Sequence, residues 1–142
     1  MNDGQLKELY KTIRTIASVG LSASPEKPSF GITLYLKNQG YRIIPVNPNA
    51  KEVHGEKAYP DLLAIPGKVD VVQLFRRSED VPPLVEQAIQ IGARAVWMQE
   101  GIANPEAAQR AEAAGLQVVM DRCMRAEHQR LFGASIFNLS SE

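Results

Sequence analysis

Between Val19 and Ser29 the chain reads Val-Gly-Leu-Ser-Ala-Ser-Pro-Glu-Lys-Pro-Ser, a run whose residue types can receive an anion. Gly20 can turn sharply because it has no Cβ, and the hydroxyls of Ser22, Ser24 and Ser29 can converge with backbone N–H groups on one ligand. A helix is predicted to follow from Phe30, and a helix N-terminus carries roughly half a positive charge, so a phosphate suits this loop. Ser and Pro are equally ordinary in turns and caps, so composition alone leaves anion binding and plain connection as even alternatives.

The remaining reactive side chains make no catalytic set. The two histidines, His54 and His128, fall in a polar loop and a terminal helical stretch, and with the single Cys123 they are a poor zinc set. Both read as surface or structural residues. Glu100 is a lone carboxylate without an acid partner, which is ordinarily a solvated loop residue. Phe75 and Trp97 lie on predicted strands, where core packing is the first expectation, and Arg76 and Arg77 read as solvated rather than phosphate-bound. Cys123 follows the last strand, and a buried, inert thiol is the favoured reading.

These residues sit on an alternation of strands and helices. Leu6, Leu9, Tyr10 and Ile13 recur at helical spacing over Asp3 to Arg14, with Asn2 or Asp3 as cap. Thr15 to Val19 is a short apolar strand, followed by the glycine loop and a helix from Phe30 to Gln39 that Gly40 ends. Tyr41 to Val46 forms the second strand, where Pro45 interrupts pairing on one side and Asn47-Pro48 turns the chain. Asn49 to Ala58 is polar with little periodicity, with a short strand expected at Lys57 to Tyr59 and a helical turn at Asp61 to Ile65. Val69 to Phe75 is the clearest strand. A helix from Ser78 as cap to Ile91 turns Leu84, Val85, Ala88 and Ile89 inward, with Pro82 and Pro83 tolerated in its first turn. Ala95 to Met98 and Gln117 to Met120 are the last strands, separated by a helix that Asn104-Pro105 opens and Gly115 closes. Met124 to Leu131 is a final helical stretch.

Such alternation requires parallel pairing and right-handed crossovers, and therefore an α/β, Rossmann-like, doubly wound and mostly parallel sheet with helices on both faces. Ligands of these sheets lie beyond the carboxyl ends of the strands, so the loops beginning at Gly20, Asn47, Arg76, Gln99 and Asp121 are the candidates. Two familiar phosphate loops are missing. From Gly20, the second and third positions of G-x-G-x-x-G hold Ser22 and Pro25, and the second strand ends in Val46-Asn47-Pro48 with no ribose-binding acid. NAD is thereby disfavoured, and no G-x-x-x-x-G-K-[ST] occurs.

Val19-Gly20-Leu21-Ser22, Lys27-Pro28-Ser29, Tyr35-Leu36, Gly40-Tyr41 and Pro45-Val46-Asn47-Pro48, with Asp121-Arg122-Cys123 and Glu127-His128 downstream, together resemble the small stand-alone CoA-binding proteins. These are similar to the N-terminal CoA-binding domain of the succinyl-CoA synthetase α subunit. The resemblance runs to about Phe132 and implies a domain over residues 1–132 that binds coenzyme A, followed by a tail at 133–142. Ser22, Ala23, Ser24 and Pro25 match the synthetase loop that contacts CoA. Lys51 stands for the lysine after its Val-x-Pro stretch, with one residue inserted, and Met98-Gln99-Glu100-Gly101 matches its Ile-Thr-Glu-Gly contact segment. The implied binding set adds Gly20, Leu21, Lys27, Pro28, Ser29, Val46, Asn47, Pro48, Phe75 and Arg76. The synthetase's phosphorylated histidine belongs to a second domain that has no counterpart here, so the resemblance implies a binding module for CoA or an acyl-CoA. A small Rossmann-class enzyme using a nucleotide cofactor such as NAD is the alternative. The family also carries a cysteine where Cys123 stands, which implies a thiol near the pantetheine arm.

The bulk properties agree with a single small-molecule binding domain. The 142 residues are 44% hydrophobic, enough for one substantial core, and 16 basic residues balance 16 acidic ones. No global field draws the chain to nucleic acid or an anionic membrane. One cysteine forms no disulfide framework, and no run has the length of a membrane span, so a cytoplasmic protein is expected.

Overall fold

The computed structural model describes residues 1–133, so the predicted tail lies, apart from Gly133, outside the described residues. The first helix, α1 (Asp3–Thr12), is capped by Asn2, whose Oδ1 accepts the Gln5 N–H at 2.8 Å while Gln5 Oε1 accepts the Asn2 N–H at 2.9 Å. Strand β1 (Thr15–Val19) leads through the glycine loop to α2 (Pro28–Asn38) and β2 (Arg42–Val46). A hairpin of β3 (Glu52–Val53) and β4 (Glu56–Lys57) comes next. The chain then alternates through β5 (Val71–Leu74), α3 (Val81–Gln90), β6 (Ala95–Met98), α4 (Pro105–Ala113), β7 (Gln117–Val119) and α5 (Met124–Phe132).

The five long-paired strands form one parallel sheet in the order β2-β1-β5-β6-β7. The expected doubly wound architecture is present, and strand order reverses between β1 and β5. Side chains alternate between two cores because successive residues of a strand face opposite ways. Ala17, Val19, Val72, Leu74, Val96 and Met98 pack against α3 and α4, while Ile16, Val71, Ala95 and Trp97 pack against α1, α2 and α5.

Three local readings change. Helix α2 begins at Pro28 rather than Phe30, because proline's fixed φ and missing N–H suit a first helical position. Ser78 caps nothing: a 3₁₀ turn over Ser78–Asp80 precedes α3, and the Ser78 hydroxyl accepts the Ala103 N–H at 3.0 Å. The stretch read as aperiodic holds the β3–β4 hairpin, whose turn residues His54 and Gly55 have φ of +55° and +77°. Histidine stands there where Asn-Gly would announce such a turn.

Pro45 lies on an edge strand. Its carbonyl accepts the Tyr59 N–H at 3.0 Å on the outer side, the side where its own N–H is missing. The predicted short strand at Lys57–Tyr59 is represented by β4 and by a single bridge between Val46 and Tyr59. At the opposite strand ends, the Asp70 carboxylate accepts the N–H groups of Arg14 and Thr15 at 2.8 and 2.9 Å, tying the start of β1 to that of β5.

His128 is structural. It is buried on α5, its Nδ1 lies 2.7 Å from the Tyr35 hydroxyl, and the rings of Tyr10, Tyr41 and Phe132 surround it. Tyr10 donates its hydroxyl to the Met124 carbonyl at 2.7 Å, joining α1 to α5, Tyr41 between α2 and β2 donates to the Tyr10 carbonyl at 2.7 Å, and the Tyr35–His128 contact joins α2 to α5. His54 is half-buried, with Nε2 2.9 Å from Thr33 Oγ1 and its ring against Phe30.

Burial holds the His128 imidazole below its ordinary pKa, and burial together with Lys37 does the same to His54. The unfolded chain therefore takes protons that the folded chain refuses. The stability from neutral histidine is complete above about pH 6.5 and is lost as pH falls from there through the depressed folded value. The thermal midpoint is expected to drop between about pH 7 and 5, and to drop less in His128→Gln. Parallel pH profiles for the two proteins would remove His128 as a cause.

Candidate functional site

The reversal of strand order places Gly20 beside the end of β5. Gly20 has φ of +88°, and its N–H donates to the Val46 carbonyl at 2.9 Å. A Cβ there would lie 3.2 Å from the Phe75 carbonyl oxygen, 3.3 Å from Phe75 Cβ and 3.1 Å from Arg76 Cδ. Glycine is needed for its conformation and again for the close approach. The loop after β1 is thereby held against the loop after β5, at the position where doubly wound sheets bind ligands.

The serines expected to face a ligand first hold the loop. Ser29 Oγ accepts the Ser22 N–H at 3.0 Å, and Ser22 Oγ accepts the Ser24 N–H at 3.0 Å. Both oxygens act as acceptors, which leaves their hydrogens free to donate. Ser24 differs, because its hydroxyl donates to the Glu26 carboxylate. That bond, with the Glu26 backbone N–H, holds the Glu26 carboxyl below its usual range. No side chain caps α2, so its N-terminal N–H groups join the Lys27 ammonium in favouring an anion.

Two cavities meet at Gly20. The larger, of about 480 Å³, is lined by Gly20, Ser22, Lys27, Pro28, Ser29, Ile32, Phe75, Gln99, Glu100, Ile102 and Cys123. The smaller, of about 320 Å³, lies over β1 and β2 and is lined by Val19, Gly20, Val46, Asn47, Pro48, Asn49, Pro60, Asp61, Leu62, Arg76, Leu84 and Gln87. One offers hydroxyls and a cation at one wall and apolar side chains at the other. The second is more evenly mixed.

The structure therefore collects Gly20, Ser22, Lys27, Pro28, Ser29, Phe75, Gln99 and Glu100 in the larger cavity, and Val46, Asn47, Pro48 and Arg76 in the smaller. Leu21 and Met98 turn fully into the core, and neither lines either cavity. Ala23, Ser24, Pro25 and Lys51 also lie outside both linings. Ile32, Ile102, Leu62 and Gln87 join the linings without having been singled out by sequence. Ile32 was findable, since it stands one helical turn beyond Ser29 and shares its face.

Arg76 is exposed and pairs with Asp80 at 3.2 Å, and Arg77 contacts both Glu79 and Asp80. Glu100 is exposed, whereas Gln99 is buried and bonded to the Gln73 amide and the Met124 N–H. Trp97 is wholly buried and donates its Nε1–H to the Arg122 carbonyl at 2.7 Å, which anchors the turn that carries Cys123. Cys123 is only partly buried and opens on the larger cavity. Among the described residues no group of three His, Cys, Asp or Glu side chains is placed to hold a metal ion, and no helix is long and apolar enough to cross a membrane.

The family described as CoA binding domain matches residues 14–129. The chain belongs to the CoA-binding domain family. It is 39% identical to the uncharacterized protein YneT of Bacillus subtilis (strain 168) over 124 residues, which is 87% of this chain and 92% of that protein. It is 33% identical to acetate–CoA ligase (ADP-forming) II of Archaeoglobus fulgidus over 70% of this chain, but that match spans only 15% of the ligase. The solved structure of a hypothetical protein from Pyrococcus horikoshii OT3 superposes with a TM-score of 0.90 at 43% identity, covering 94% of each chain. The expected family and fold are both found.

Gly20→Val combines a backbone conformation that L residues rarely adopt with contact against β5, and is expected to destabilise the fold by about 2–4 kcal/mol. Far-UV circular dichroism should keep its shape while the urea midpoint falls. An unchanged midpoint would mean that the approach of β1 to Phe75 yields at no cost.

Proposed function

We propose that this protein binds coenzyme A, free or acylated, as a stand-alone binding module across the two cavities that meet at Gly20. The observation that carries the reading is the larger cavity, where anion-receiving groups and an apolar wall share one space in a chain of the CoA-binding domain family. CoA is a molecule of that kind: an adenine nucleotide with phosphates, joined to a long and mostly apolar pantetheine arm. The adenine takes the smaller cavity between Val46, Pro48 and Leu62. The phosphates meet the Gly20–Ser29 loop, the Lys27 ammonium and the α2 N-terminus. The pantetheine arm runs along Phe75, Ile102 and Gln99 toward Cys123. Residues 1–132 form the binding domain.

A binding role, rather than chemistry on the ligand, is supported by how the reactive side chains are used. Both histidines are engaged in packing and hydrogen bonds, and Glu100 stands exposed without an acid partner among the described residues. The alternative of an NAD-using enzyme gains nothing from the loop, which lacks two of the three fingerprint glycines. Titration calorimetry decides between them. CoA is expected to bind at least about tenfold more tightly than NAD, a difference of roughly 1.4 kcal/mol. Equal or tighter binding of NAD would overturn the reading.

The position of Cys123 in the larger cavity gives a covalent test of where the arm ends. Supplied with oxidised CoA, the symmetrical disulfide, the Cys123 thiolate attacks one sulfur, forms a Cys123–CoA disulfide and releases one CoA thiolate. Intact-mass measurement is expected to show one added CoA that a reductant removes. Noncovalent CoA without that adduct would return Cys123 to a packing role.

A further inference from the structure

Among the described residues one buried side-chain polar atom has no hydrogen-bond partner, and it is Gln87 Oε1. Gln87 stands on α3 and lines the smaller cavity, one helical turn beyond Leu84, which lines it too. Val85 and Ala88 carry the packed face of α3 into the core, and Gln87 stands beside that face. The residue as a whole is half-buried, but this oxygen is closed to solvent.

The other polar side chains of that lining are already satisfied. Asn47 Nδ2 donates to the Leu21 carbonyl at 3.0 Å, and its Oδ1 accepts the Asn49 N–H at 2.8 Å. Asp61 Oδ1 accepts the Ala64 N–H at 2.9 Å, Arg76 is paired with Asp80, and Asn49 is exposed to water. A buried acceptor left without a donor costs free energy, and a ligand N–H in the cavity removes that cost. The acceptor is neutral, and a cationic donor entering here would meet the charge of Arg76. Val46, Leu62 and Leu84 give the same cavity apolar walls, so the space suits a flat, uncharged ring with an N–H at its edge. Adenine is such a ring. Its amino group stands beside a ring nitrogen, a donor next to an acceptor, and a glutamine amide offers the complementary pair.

We propose that Gln87 reads the base of the ligand: its Oε1 accepts a hydrogen bond from the exocyclic amino group of adenine, so that the smaller cavity selects the base by its donor edge as well as by apolar contact. This inference rests on the CoA reading and assigns a specificity-determining residue within it. Gln87 acts on the base alone, because it lies on α3, apart from the Gly20–Ser29 loop and from the lining of the larger cavity.

The test is a binding cycle by titration calorimetry on the full chain. It pairs the unaltered protein and Gln87→Leu with CoA and with the CoA analogue whose adenine amino group is replaced by hydrogen. The unaltered protein is expected to bind CoA about tenfold more tightly than the analogue. Gln87→Leu is expected to lose about tenfold in affinity for CoA and less than about twofold for the analogue, because both changes delete the same hydrogen bond and their losses do not add. Equal affinity of the unaltered protein for CoA and the analogue overturns the proposal. So does a variant in which loss of the amino group still costs about tenfold, since the amino group is then held by something other than Gln87. The first comparison needs no variant and decides the matter even if Gln87→Leu does not fold. Failure of the unaltered protein to bind either ligand instead overturns the CoA reading beneath the proposal.

Discussion

The site depends on how closely β1 can approach the exit of β5. At Gly20 the two backbones come so near that a Cβ would meet the Phe75 carbonyl oxygen at 3.2 Å. That approach lets one residue border both cavities, and it sets the start of the loop that delivers Ser22, Lys27 and Ser29. Everything beyond it follows from chain direction. In a parallel sheet all the carboxyl ends lie together, so the exits of β1, β2, β5, β6 and β7 supply the walls without any long excursion of the chain.

The fold was largely legible because its signals are local and repeated. Thr15–Val19 and Ala95–Met98 appear as strands with the limits their apolar runs suggest, and Asn2 and Asn104 cap helices as their positions imply. Where sequence reading failed, a side chain had been claimed by a distant partner or a turn used an unusual residue. Ser78 looks like a cap but serves Ala103, 25 positions away. His54 adopts a left-handed conformation that favours Asn or Gly, which hid the β3–β4 hairpin.

The candidate site was legible as a loop and less so as a set of side chains. Spacing cannot reveal that Ser22 and Ser29 are tied to the loop's own N–H groups, since those bonds exist only once the turn has formed. Gln73 is harder still. It stands in a run of Val and Leu that reads simply as a buried strand, yet it carries the hydrogen-bonded row from Ser18 to Gln99. A polar residue inside such a run is the signal, because burying an amide is costly unless its partners are waiting.

The edge at Pro45 bears on how the molecule behaves among its own copies. An open edge strand offers a row of N–H and C=O groups on which another sheet can grow. On β2 that row is broken, since Pro45 has no N–H to offer, its carbonyl is taken by Tyr59, and the Tyr59 carbonyl is in turn taken by Asn47. The opposite edge, β7, is only 3 residues long. Neither border of the sheet presents a long template, so the ribbon-like stacking open to many parallel sheets is discouraged on both sides by backbone chemistry alone.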